Sequence, residues 1–495
     1  MDIITHILSS DFNSANQSQN TPKFVRLTEY LKNIIEQYQL LEGTHLPSTR
    51  NLSKHLSVSR STVIKAYELL IIEGFVEAKK GSGYKILPRQ EKNITAKDKV
   101  NPQVKYPKIS KSGVSFQHNV HLINTTSDKY IAFRPGLPPL DIFPVNQWKK
   151  LSNLYWRNIK ASSLTYSNSS GIKNLKKNIA NYLYLMRGIK CDYEQIIIVS
   201  GSLQSLYLLG TALLDRGNAV VMENPTFPNV HSIFRSLEAD INAFPVDSEG
   251  ICLPESNEAF TPKIIHVTPS NHYPTGVKMT KKRKQEVIDW AKQNETIIIE
   301  NDYDHEVSNW GLKDPTIFEM DNDNRTVYLG TFNRLLHPSI RLGYMVVPYY
   351  LLDVITALQK HSHRFVSPYN QIVMSQFIEK NYLFNHIKNV IEVADERKEL
   401  FTRLVNNNIH ESFKLNESAT RSLHLLSSVP QSFHDKELVD ELTQHQLIAH
   451  QYSKCFINDE QNGLILGYSA VRKHLMTKKI MEMVRTYNDF AQRHL

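Results

Sequence analysis

Two arginines seven residues apart, Arg334 and Arg341, stand in the stretch GTFNRLLHPSIRLGY, residues 330–344. A guanidinium stays charged at cellular pH and offers a planar fork of donors, so such residues hold phosphates and carboxylates and do not act as nucleophiles. Upstream, IENDYDHEV (299–307) gathers an amide, Asn301, a phenol, Tyr303, and the carboxylates Asp302 and Asp304. Tyr303 and Asp304 read equally as strand-end residues with no ligand, Arg341 as a member of a salt bridge, and Phe227 as core packing. Cys191, Cys252 and Cys455 are scattered and odd in number, which fits buried free thiols and neither a disulfide framework nor a CxxC metal site. His361 and His363, beside Arg364, read as a solvated helix face rather than a metal site.

These residues need elements to position them. At 495 residues, with 41% hydrophobic and 22% charged, the chain is expected to hold two or more domains and a sizeable core. After residue 130, short apolar runs alternate with amphipathic stretches: QIIIVSGS, AVVMENP, KIIHVTPS, TIIIENDY, TVYLGTF and LGYMVVP. Strands alternating with helices predict a mainly parallel sheet with ligand chemistry at strand ends. Beyond about residue 351 the pattern is helix-rich, with a smaller α+β portion near RSLHLLSSVP and NGLILGYSAV. No apolar run approaches the ~20 residues that span a bilayer, and the first residues do not read as a targeting segment, so the expectation is a cytoplasmic protein.

The formal charge of +9 is uneven. Residues 21–90 hold eleven Lys and Arg against six Glu, a net of +5. There, Phe24, Leu27, Leu31, Ile34, Ile35 and Tyr38 recur at helical spacing, and Ser48 behind Pro47 is placed to cap a second helix. A third helix buries Val63, Ala66, Tyr67, Leu70 and Ile71, leaving Arg60, Ser61, Thr62 and Lys65 outward near its start. FVEAKK and YKI flank the turn GSG as a hairpin wing. The pattern is a winged helix-turn-helix whose third helix enters a major groove while the basic wing meets phosphate.

The stretch LPSTRNLSKHLSVSRSTVIKAYELLIIEGFVEAKKGSG resembles the DNA-binding domains of the GntR family. The resemblance implies contacts to double-stranded DNA from Arg50, Arg60, Ser61, Thr62 and Gly81, with Lys65, Lys79 and Lys80 as phosphate contacts. The stretches FRPGLPPLDIFP, SGSLQSLYLL, ENPTFP, VTPSNHYPTG, IENDYDHEV and GTFNRLLHPSIRLGY are similar, in order, to fold-type I aminotransferases. The whole resembles the MocR-type regulators, which fuse the two. The expected organisation is a flexible terminus (1–20), a winged helix-turn-helix (21–88), a lysine-rich tether (89–129) and an aminotransferase-like domain (130–495) for effector binding and homodimerisation.

In that family pyridoxal 5'-phosphate is held by an imine to lysine. The resemblance puts Arg334 at the lysine position and Asn301 at that of the aspartate on the pyridine nitrogen. It also puts Tyr303 at the phenolic oxygen, Phe227 on the ring, and Gly201, Ser202 and Arg341 at the phosphate. Arginine has no free lone pair to attack an aldehyde, so covalent binding is excluded. Where relatives recruit arginines for a substrate carboxylate, this chain offers Asn229 and Gln461. The implied function is a DNA-binding regulator, reading a two-half-site operator as a dimer. The alternatives are a working pyridoxal phosphate enzyme, or a regulator that binds pyridoxal phosphate or another small anion non-covalently.

Overall fold

The computed structural model describes residues 21–37, 43–79, 83–87, 107–123, 132–254, 260–311, 314–416 and 420–495. The chain divides into two compact units, Met1–Lys108 and Ile109–Leu495.

In the first unit, helices α1 (Lys23–Gln37), α2 (Thr49–His55) and α3 (Arg60–Ile72) precede strands β1 (Val76–Lys79) and β2 (Gly83–Ile86). The helices form because each has an apolar stripe to bury: Leu27, Leu31, Ile34 and Ile35 from α1, Leu52 from α2, and Val63, Ala66, Tyr67 and Leu70 from α3 share one core. Ile71, expected on the buried face, packs half-buried at its edge. Ser48 caps α2 by accepting from the Asn51 amide at 3.2 Å, and Ser59 caps α3 by accepting from that of Thr62 at 3.1 Å. Such caps contribute about 1 kcal/mol each. The Tyr67 hydroxyl donates to the Pro47 carbonyl at 2.8 Å, tying α3 to the start of α2. β1 and β2 pair antiparallel, with Lys79 opposite Gly83. The expected wing contacts Lys80 and Gly81 lie outside the described residues, as does the segment 1–20.

The second unit is built on an eight-stranded sheet of order β3-β10-β9-β8-β7-β4-β5-β6. Its strands are β3 (Ile196–Val199), β4 (Ala219–Asn224), β5 (Asp240–Asp247), β6 (Gly250–Ile251), β7 (Ile264–Val267), β8 (Ile297–Asn301), β9 (Thr326–Thr331) and β10 (Gly343–Val346). β5, β4, β7, β8 and β9 run parallel. β10 is antiparallel to both β9 and β3, so β3 points with the parallel set. The strands read as unbroken apolar runs because both faces are covered. Ile196 and Ile198 enter one core while Ile197 enters another. A second, antiparallel sheet of order β11-β12-β14-β13 joins β11 (Lys414–Leu415), β12 (His424–Ser428), β13 (His450–Gln451) and β14 (Gly463–Gly467), matching the expected α+β portion.

Within the span read as a tether, the structure holds helix α4 (Lys111–Asn119). The Ser232 hydroxyl donates to the Asn119 carbonyl at 2.9 Å, and the Phe116 and Tyr207 rings lie 6.0 Å apart. α4 buries too little apolar surface to show a periodic pattern.

One buried ion pair fixes the end of β8. Arg187 ends helix α5 (Lys173–Arg187); its Nε lies 3.0 Å from Asp302 Oδ2, and its Nη2 donates to Ser270 Oγ at 2.9 Å. The Tyr328 hydroxyl donates to the same carboxylate oxygen at 2.7 Å. Burial alone would push the Asp302 carboxyl up, but Arg187 and the donors around it hold it below the usual range. Removing one partner strands a buried charge. Arg187→Met is expected to lower the free energy of urea denaturation by about 3–5 kcal/mol. Combining it with Asp302→Asn, which removes both charges, is expected to recover part of that loss.

Candidate functional site

Strand ends supply most of a cavity of about 320 Å³ in the second unit. β3 leads into Gly201 and Ser202 at the start of helix α6 (Ser202–Leu213), and β4 leads to Phe227 ahead of helix α7 (Pro228–Ser236). β7 leads to Thr268, β8 to Asn301 and Tyr303, and β9 to Thr331, Asn333 and Arg334. Arg341, just before β10, and the segment Pro135–Leu137 complete it. This is the carboxyl edge of the parallel sheet, where open α/β folds place ligands.

The geometry brings Gly201, Ser202, Phe227, Asn301, Tyr303, Arg334 and Arg341 together in one lining. Asn229 joins them, whereas Gln461 is exposed and is not part of it. Among the described residues no lysine, Asp or Glu lines the cavity. His361 and His363 are exposed. Cys455 is buried, Cys191 and Cys252 are half-buried, and all three thiols are free.

Arg334 lies over aromatic faces, its Cζ 4.9 Å from the Tyr303 ring centroid and 5.9 Å from that of Phe227. Its guanidinium also crosses Gly136, at φ 73°, where any Cβ would collide with it. Arg341 has φ 49° and ψ 55°, a left-handed conformation that costs a non-glycine residue about 1–2 kcal/mol. Asn333 supports it, accepting from the Leu342 amide at 3.0 Å and donating to the Ser200 carbonyl at 3.4 Å. The Arg341 guanidinium nitrogens come within 3.9–4.0 Å of the Cβ position that Gly201 leaves empty.

The neutral groups are held from beneath. Asn301 Nδ2 lies 3.2 Å from Nε2 of His266, whose ring burial drives down to about 3 and so keeps uncharged. The Tyr303 hydroxyl donates to the Asn271 carbonyl at 3.0 Å. Thr268 donates its hydroxyl to Glu223 at 2.7 Å and its amide to both Glu223 oxygens at 3.1 Å. Asn271 Nδ2 donates to Asp304 at 2.7 Å. His266, Glu223 and Arg187 were invisible as site residues in the sequence, because each acts across the sheet on a residue far along the chain. Asn333 was more accessible, since it adjoins Arg334 in GTFNR.

In the first unit, Arg50, Arg60, Ser61 and Lys65 are exposed and Thr62 is half-buried. Arg60 Nε donates to Thr49 Oγ1 at 3.3 Å, bridging α3 to α2, and Lys65 Nζ sits 5.5 Å above the Phe24 ring. Ser61 and Thr62 share the cap, their hydroxyls 2.8 and 2.7 Å from that of Ser59.

Burial pushes Glu223 and Glu300 up to about 7, and Asp304 up to about 8 against the pull of Arg334. All three values are raised on folding, so between about pH 4 and pH 8 these three groups bind more protons in the folded chain than in the unfolded chain. Their contribution to stability is therefore lost as pH rises through that window, while buried His231, His266, His272 and His424 and half-buried His450, whose values burial lowers, act in the opposite sense below about pH 6.5. Asp304→Asn, a mimic of the protonated acid, is expected to flatten the fall of denaturation free energy between about pH 6 and 8, by up to about 1.4 kcal/mol per pH unit. Urea denaturation at stepped pH measures it.

The family model described as "Aminotransferase class I and II" matches residues 132–458, and that described as "Bacterial regulatory proteins, gntR family" matches residues 25–86. The chain is 28% identical over 466 residues to the probable rhizopine catabolism regulatory protein MocR of Rhizobium meliloti, covering 94% of each. It is 30% identical over 336 residues to the HTH-type pyridoxine biosynthesis transcriptional regulator PdxR of Corynebacterium glutamicum, covering 67% of this chain and 68% of that one. Among solved structures, the multiple substrate aminotransferase of Thermococcus profundus superposes with a TM-score of 0.66 at 20% identity, over 78% of this chain and 98% of that one. The sheet order, the cavity at its carboxyl edge and these matches agree: the chain belongs to the aminotransferase class I and II family, with a GntR-type regulatory domain ahead of it.

Proposed function

We propose that the chain is a DNA-binding transcriptional regulator of MocR/GntR type, in which residues 21–88 read DNA and residues 130–495 form a dimerising, ligand-sensing body that works without imine chemistry. The relatives named as transcriptional regulators support the class. The observation that carries the rest is Arg334, laid into the cavity over Tyr303 and Phe227. Pyridoxal 5'-phosphate needs an amine to form its imine. The only cation at the end of β9 among the described residues is this guanidinium, at the position where family resemblance expects the lysine. Asn301, partnered by the uncharged His266, offers no carboxylate to a pyridinium nitrogen. The residues present do not fit the cofactor as a covalently held group, and no chemical step runs through it. Gly201, Ser202 and Arg341 still suit a phosphate, which leaves non-covalent occupancy as the sensing mode.

The module's role follows from its exposed face. Arg60 and Ser61 stand at the start of α3, where a helix entering a major groove meets base edges, with Thr62 beside them and Arg50 on α2. Lys65, Lys79 and Lys80 are assigned to the phosphate backbone, and Gly81 to a further DNA contact. Two modules in a homodimer would read two half-sites in the cytoplasm, where the operator DNA lies.

Arg60→Ala is expected to abolish operator-specific binding, whereas Lys80→Ala weakens binding to all sequences and reduces the slope of log K against log salt by about 1. Equal losses on specific and random DNA for both variants would count against these roles. With added pyridoxal phosphate the native protein is expected to show no visible imine band sensitive to borohydride. The double variant Arg334→Lys, Asn301→Asp is expected to gain one, and a band in the native protein would overturn the assignment.

A further inference from the structure

The guanidinium groups of this unit fall into two kinds. Buried ones are neutralised, Arg187 by Asp302 at 3.0 Å and Arg397 by Asp141 at 2.7 Å, and half-buried Arg283 pairs with Asp247 at 3.0 Å. Arg334 and Arg341 are different. They share one cavity of about 320 Å³, and among the described residues neither has a hydrogen-bonding or carboxylate partner and no Asp or Glu joins the lining. Asp304, a buried acid that feels the charge of Arg334, is hydrogen-bonded by Asn271 instead, and burial pushes it up to about 8. Arg334 is half-buried and Arg341 exposed, so two like-charged guanidiniums, with donors left free among the described residues, stand at one cavity, where an anion reaching both relieves their repulsion.

The two ends of the cavity are equipped differently. At the Arg341 end stand the Ser202 hydroxyl and the amino terminus of α6, a twelve-residue helix, with Gly201 leaving room for close approach. Oriented amides, a hydroxyl and a guanidinium together suit a phosphate. At the other end Arg334 lies against the rings of Tyr303 and Phe227, which strip water from its faces and leave its edge donors for a planar acceptor. A carboxylate or a second phosphate is the acceptor that fits a fork of donors.

We propose that the cavity is a two-point clamp for a small dianion, a phosphate monoester that carries a second anionic group, with the phosphate at Ser202 and Arg341 and the second anion at Arg334. The assignment rests on the absence of imine chemistry proposed above and adds a positive role for Arg334. It places the ligand among phosphorylated carboxylic acids and related bisphosphates and sets it apart from simple phosphate esters, which engage one end only.

The test is calorimetric titration of the full-length protein at pH 7.5, comparing inorganic phosphate with phosphoglycolate, 3-phosphoglycerate and pyrophosphate. At least one two-centre probe is expected to bind about tenfold or more tightly than phosphate, the scale of one charge-assisted pair. Arg334→Gln is expected to bring that probe down to the level of phosphate while leaving phosphate within about twofold, and Arg341→Gln to weaken both. Arg334→Lys, which keeps the charge, is expected to restore part of the difference. The clamp is wrong if every two-centre probe binds no better than phosphate, if nothing binds, or if Arg334→Gln retains the full preference. The comparison among probes on the native chain stands even if a variant fails to fold. No DNA enters the titration, so a negative result leaves operator binding and the missing imine band untouched, and failure of those leaves this result standing.

Discussion

The pairing of Arg187 with Asp302 is the constraint on which the cavity depends. β8 leaves the sheet at Asn301, and the next residues must turn without losing register. Asp302, drawn beneath the sheet edge by Arg187 and the Tyr328 hydroxyl, pins that turn. Its neighbours on either side, Asn301 and Tyr303, are thereby left to line the cavity. The alternation of a strand is carried past the strand's own end by a buried ion pair. Such a pair contributes less through net attraction than through the cost of any arrangement that breaks it, and so it specifies one geometry.

Much of the architecture was legible because it is written in local pattern. Apolar runs such as QIIIV and TIIIE became β3 and β8, buried on both faces, and Ser48 caps α2 as its place behind Pro47 indicated. The site residues were legible for a related reason: each sits at a strand end or within three positions of one, where sequence motif and chain direction fix its place. The hidden part depends on partners distant in the chain. Asn301 meets His266, 35 residues away, and Arg187 reaches Asp302 across 115. α4 shows the same limit from another side, since its contacts include polar ones, Ser115 to the Arg235 carbonyl and Ser232 to the Asn119 carbonyl, which leave no periodic apolar trace.

Charge is handled by opposite rules in the two units. In the winged module Arg50, Arg60 and Lys65 face water, where each contributes little until a polyanion displaces its counterions, and affinity then depends on salt. In the larger unit the buried guanidiniums of Arg187 and Arg397 are each matched with a carboxylate, whereas half-buried Arg334 and exposed Arg341 at the cavity are not, among the described residues. Burial pushes Asp304 up to about 8, which weakens the negative charge that would otherwise offset the positive field of the cavity.

Gly136 lies nearly two hundred residues before Arg334, yet the guanidinium occupies the volume that any side chain at position 136 would take. The two positions are therefore bound in descent: a lineage that places a larger residue at 136 must also give up or re-route the arginine. The segment around Gly136 also accepts hydrogen bonds from β14 and from the turn just beyond it, at the Phe133 carbonyl from the Gly467 amide and at the Leu137 carbonyl from the Ser469 hydroxyl. A change at either position is thus felt in both sheets of the unit, and among relatives the pair 136 and 334 should vary together rather than singly.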